Sequence, residues 1–158
     1  MSTTDDSLAQ AELTYLLGMA FQLVLRAFTE RLSAQGYGDL RPVHGFLFQS
    51  LWGAGATSSE LAERLGVTKQ AAGQLVDDLA ERGYLRREPH PQGGRRRLVV
   101  LTDQAREHLT VAGAVLHGLE DELAGRLGAT SLSDLRTRLA ALVRELAGDD
   151  LPPWRPVW

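Results

Sequence analysis

Cysteine is absent from this 158-residue chain. That excludes a disulfide scaffold, a cysteine-ligated zinc site and thiol-based redox sensing. Aromatic residues are sparse, at 6%, and no apolar run approaches the ~20 residues that cross a bilayer. No charged-then-apolar leader of the secretory kind opens the chain, so a soluble, cytoplasmic protein is expected. Lysine occurs once, at Lys69, and the other sixteen of the seventeen basic residues are arginine. Catalytic groupings are missing as well. No nucleophile–base–orienter set is suggested and no glycine-rich phosphate loop occurs; Gly93-Gly94 reads as a turn and Asp77-Asp78 as solvated helix surface. Neither an enzyme nor a bound cofactor is expected. Metal ligation has little support, because His108 and His117 lie nine apart on one predicted helix and so on opposite faces, and His44 and His90 lack a ligand-spaced partner.

What is present concentrates in residues 57–102. Thr57-Ser58-Ser59-Glu60 predicts a helix start in which a hydroxyl and a carboxylate three residues later each bond the other's backbone amide. Leu61, Ala62 and Leu65 follow at helical spacing, and Gly66 supplies the left-handed residue that ends the helix. Val67 reads as the apolar plug of the turn, and Thr68 caps a second helix. There Ala72, Leu75, Val76 and Leu79 make one buried stripe, and Gly83 closes the element. The opposite face opens with Thr68, Lys69, Gln70, Ala71, Gly73 and Gln74, while Asp77, Asp78 and Glu81 come only in later turns. A helix that enters a major groove by its N-terminal end needs that polarity.

After Gly83 the period changes to two. Residues 84–88 predict a strand, 89–94 a turn, and 95–101 the returning strand, after which Thr102 caps another helix. From Arg86 to Arg97 there are five arginines and one glutamate, a local charge of +4. Arginine at a hairpin tip can reach into a narrow minor groove. The net charge of −3 divides unevenly: residues 57–102 carry +2 and the remainder −5. An acidic body is compatible with nucleic-acid binding where it faces away, since interactions beyond roughly 10 Å are screened in cellular salt.

The SELAERLGVT run, the LVDDLAERGYLRR run and the RRRLVVLT strand together resemble the winged helix-turn-helix of the MarR (multiple antibiotic resistance regulator) family. The resemblance implies a mainly α fold with a small β-wing, in which a winged helix-turn-helix is flanked by long N- and C-terminal dimerisation helices. It implies a homodimeric transcription regulator, a repressor in our reading, that binds double-stranded DNA at a pseudo-palindromic operator and is often released by a small ligand. The expected DNA contacts are Thr57, Ser58, Thr68, Lys69, Gln70, Ala71, Gly73, Gln74, Arg86, Arg95, Arg96 and Arg97. The family's wing usually carries an aspartate two residues before its key arginine, and here that place is Gly93. Its absence suggests a more mobile wing and leaves open whether Arg95 or Arg96 enters the groove. Gly93 and the acid pair Asp77-Asp78 also support an alternative, a winged-helix protein-interaction module without DNA binding.

Three domains are read: residues 1–38 as a dimerisation helix, 39–102 as the winged helix-turn-helix, and 103–158 as dimerisation helices with a Pro/Trp tail. Residues 8–34 predict one long helix, apolar around much of its girth. Pro42 opens the next, which runs to near Gly53. Asp103 to about Leu127 predicts a second long helix, and Ser131 or Ser133 starts a last one. This surplus apolar surface predicts an interlocked two-fold dimer whose recognition helices sit about 34 Å apart, one duplex turn. Trp154 and Trp158 are expected to dock across that interface. The resemblance further implies an effector pocket where dimer helices meet the winged unit. Tyr15, Tyr37, His44, Phe48 and Trp52 are the candidates, and aromatic walls with one titratable donor suit a small aromatic acid.

Overall fold

The computed structural model describes residues 7–152, so Trp154 and Trp158 lie outside the described residues. Helix α1 spans Leu13–Leu32 and runs on as a widened turn, Ser33–Tyr37. The others are α2 (Pro42–Ser50), α3 (Ser58–Leu65), α4 (Lys69–Glu81), α5 (Asp103–Leu127) and α6 (Ala129–Ala147). Strands β1 (Leu85–Pro89) and β2 (Arg97–Leu101) pair antiparallel, from Leu85 opposite Leu101 to Pro89 opposite Arg97. The fold is mainly α with a small β-wing.

Local chemistry explains most boundaries. Thr57, Thr68 and Thr102 each accept a bond from the backbone N–H three residues on, so α3, α4 and α5 begin where a hydroxyl can serve an otherwise orphaned donor. Between α3 and α4, Gly66 takes φ +66°, which turns the chain within two residues. The apolar stripes of α2, α3 and α4 then close with the sheet over one core. Leu47, Phe48, Leu61, Val76, Leu79 and Val99 are fully buried there, each worth about 1.5–3 kcal/mol relative to exposure. Val67 is no plug; it stays more than one-third exposed, and the turn is held by its N–H bonding to the Ala62 carbonyl.

Several boundaries differ from the sequence reading. Helix α1 starts at Leu13 because Glu12 is extended (ψ 144°), although no local residue forbids helix there. Helix α2 ends at Ser50, before Gly53. The returning strand starts at Arg97, so Arg95 and Arg96 belong to the turn that joins the strands. Helix α6 starts at Ala129, because Gly128 (φ +89°) reverses the chain and neither Ser131 nor Ser133 is needed as a cap. The sheet also gains an edge that alternation did not signal: Ala56 and Val99 exchange backbone bonds of 3.1 and 2.8 Å. Gly55 makes that approach possible, since a Cβ there would lie 2.4 Å from the Val99 carbonyl oxygen.

Helix α1 packs along α5, where the Arg31 guanidinium donates two 2.8 Å bonds to Glu122. Helix α6 folds back on α5, tied by Arg136 to Glu120 at 2.8 Å. Yet α6 buries none of its residues and α1 only Leu32. Leu13, Leu23, Val143 and Leu146 remain 57%, 48%, 51% and 79% exposed, which is more apolar surface than one chain covers.

Candidate nucleic-acid interface

The reading unit is built from the capping threonines outward. Glu60 accepts from both the N–H and the hydroxyl of Thr57 (2.7 and 2.9 Å), which ties down the start of α3. Those bonds hold the Glu60 carboxyl below its usual range. Ser58 is half-buried on the first turn of α3. The Thr68 hydroxyl caps α4 on the Ala71 N–H at 3.1 Å. Beyond it Lys69, Gln70 and Gln74 are exposed, Ala71 and Gly73 half-buried, and Ala72, Val76 and Leu79 form the inner face. Lys69, Gln70 and Gln74 have no side-chain partner among the described residues. A Cβ added at Gly73 would meet nothing within 4 Å.

Two of the three acids behind this face are engaged by arginine. Asp77 takes a 2.6 Å bond from Arg87 of β1. Asp78 pairs with Arg82 at 2.9 Å, and Arg82 also reaches Asp39 at 2.6 Å. Neither Arg82 nor Arg87 was singled out from sequence, because nothing in their spacing distinguishes them from solvated cations. The pairs offset the charge of Asp77 and Asp78, while Glu81 in the last turn of α4 stays exposed.

In the wing, three of the five arginines are committed. Arg86 pairs with Glu88 (2.7 Å), Arg87 with Asp77, and Arg97 donates to the Arg87 carbonyl (3.3 Å). Arg95 and Arg96 are exposed and have no side-chain partner among the described residues. His90 organises the turn beneath them. Its N–H donates to the Arg96 carbonyl (3.3 Å), its carbonyl accepts from Gly93 (2.8 Å), and its ring accepts from the Gln92 N–H (3.2 Å). A histidine doing the work of a turn aspartate left no recognisable spacing in the sequence.

A sequence model described as MarR family matches residues 53–96, which span the α3 approach, the reading helix and the wing turn. Over those residues the chain is similar to the MarR family. The chain is also 35% identical over 119 residues to the LexA repressor of Deinococcus radiodurans, covering 72% of itself and 52% of that relative, so it spans about half the relative's length. Its fold is similar to that of MepR, a transcription regulator of the Staphylococcus aureus multidrug efflux pump MepA. The TM-score is 0.72 at 18% identity, over 86% of this chain and 99% of that one. It is similar too to the transcriptional repressor CouR bound to a 23-mer DNA duplex. There the TM-score is 0.67 at 27% identity, over 84% of this chain and 93% of that one.

The chain carries a cleft of about 380 Å³ between α1, α2 and α5. Leu25, Phe28, Leu32, Phe46, Leu109 and Leu116 form apolar walls, and Arg41, Gln49 and His108 add polar groups. None of the five effector candidates lines it. His44 and Phe48 are buried, Tyr37 meets the His108 ring edge-on at 4.7 Å, and Tyr15 is exposed far along α1. Trp52 is 62% exposed, lies 5.8 Å from the Arg106 guanidinium, and borders a shallower neighbouring pocket with Gln49 and Leu109. His108, considered from sequence only as a metal ligand, is buried against Tyr37 and Phe48, and its Nδ1 has no hydrogen-bond partner. Burial lowers its pKa, offset in part by Asp39. The His44 ring accepts from the Arg41 N–H at 3.1 Å, and its pKa falls to about 4, through burial first and then the neighbouring Arg41 and Arg82.

Proposed function

We propose that the chain is a sequence-specific DNA-binding transcriptional regulator, acting as a repressor and as a homodimer on a pseudo-palindromic operator. The observation that carries this reading is the exposed outer face of α4, where Lys69, Gln70 and Gln74 have no side-chain partner among the described residues, together with the exposed Arg95 and Arg96 of the wing turn, which have none there either. The engagement of Asp77 and Asp78 by Arg87 and Arg82 supports it against the alternative of an interaction module, which relied on those acids and on Gly93. The exposed leucines of α1 and α6 support pairing of two chains through residues 1–38 and 103–158, around winged units at 39–102. The named repressor relatives support the direction of regulation. A small aromatic effector fits the cleft between α1, α2 and α5, which is mostly apolar with a few polar groups. Such a protein acts in the cytoplasm, and among the described residues no helix is long and apolar enough to cross a membrane.

The test is duplex binding across a salt series. Affinity for DNA should fall steeply as salt rises. The double variant Arg95→Ala, Arg96→Ala should bind more weakly and lose part of that salt slope. Absence of duplex binding at low salt would favour the interaction module.

A further inference from the structure

Gln70 and Gln74 stand four residues apart on the exposed face of α4 with no side-chain partner among the described residues. A carboxamide presents an acceptor and a donor side by side, which matches the N6–H and N7 of adenine in the major groove. Four helical residues rise about 6 Å, against about 3.4 Å per base step. Two glutamines so placed address base pairs one or two steps apart. The rest of the face argues against other bases. Guanine calls for arginine or lysine, and only Lys69 is available there; cytosine calls for a carboxylate, and Asp77 and Asp78 are engaged by arginines. Gly73, immediately before Gln74, adds no side chain, so the backbone can come close to the base edges.

We infer that each operator half-site presents two adenines, one or two base-pair steps apart, in the major groove, read by Gln70 and Gln74. The inference rests on the DNA reading proposed above and adds the identity of the bases.

Selection of bound fragments from random duplexes tests it with the full chain. The wild-type protein should recover half-sites with two invariant adenines, and replacing either by guanine should weaken binding about 5- to 150-fold. Gln70→Ala and Gln74→Ala should each relax one adenine position and leave the other, and Gln74→Glu should move its position toward cytosine. Both side chains are exposed, so unchanged melting temperatures would certify that the variants fold. An inverted repeat recovered without the adenine pair, or base preferences that survive both alanine variants, would overturn the inference while leaving the DNA reading intact. Retention of no duplex at any sequence would remove that reading, and this inference with it.

Discussion

Replacing Gly73 by alanine sets stability against recognition at one atom. Gly73 lies inside α4, its backbone needs no left-handed conformation, and a Cβ would meet nothing within 4 Å. Glycine in a helix interior costs about 1 kcal/mol relative to alanine, chiefly through backbone entropy in the unfolded chain. With no clash to offset that gain, Gly73→Ala should stabilise each chain by about 1 kcal/mol, or roughly 2–4 °C in melting temperature for a chain of this size. The same methyl group sits next to Gln74 in the chain, where on the proposed DNA reading the helix must approach the base edges. Specific DNA affinity should therefore fall by about tenfold, the size of one lost base contact, while salt-driven, non-specific binding changes little. Calorimetry at fixed protein concentration, since dimerisation makes melting concentration-dependent, and titration of a selected operator would measure the two effects on one preparation. A melting temperature that falls would refute the open space assigned to Gly73. A raised melting temperature with unaltered operator affinity would place the reading face elsewhere on the molecule.

Gly55→Ala should behave in the opposite way. With φ +77° and a Cβ 2.4 Å from the Val99 carbonyl, it should cost about 2–4 kcal/mol in denaturant unfolding from left-handed strain and overpacking; a loss under about 1 kcal/mol would contradict the Ala56–Val99 pairing. Stability should also fall with acid. His44 titrates at about 4 in the fold against an ordinary value of 6.5, so the unfolded chain takes up the proton first. The contribution is whole above pH 6.5 and is lost between there and pH 4, about 3 kcal/mol in all, with the lowered His108 acting in the same direction. His44→Gln should flatten this dependence in urea midpoints, and an unchanged slope would count against the buried neutral ring. Arg87→Gln should leave the melting temperature nearly unaltered, because exposed ion pairs add little, but should weaken operator binding by freeing the wing from Asp77; equal affinity would show that the wing is held by other contacts.

Caps and periodicity made much of the reading unit legible without coordinates. Thr57 with Glu60, Thr68 and Thr102 start helices because their partners lie three residues away, and Gly66 turns the chain because only a left-handed residue closes so short a connection. The inner stripe Ala72, Val76, Leu79 and the outer face Lys69, Gln70, Gln74 follow from the 3.6-residue period alone. Such interactions span a few residues, so the order of amino acids contains them. What depends on distant segments was not contained in it. Arg82 with Asp39, Arg87 with Asp77, and Ala56 with Val99 join residues that only folding brings together. The cleft is likewise made by three helices separated in the chain, so its walls include His108 and exclude Tyr15, His44 and Phe48, whose aromatic character said nothing about direction. Local hydrogen-bond chemistry chose the elements; packing among remote ones chose which arginines are tied down in ion pairs.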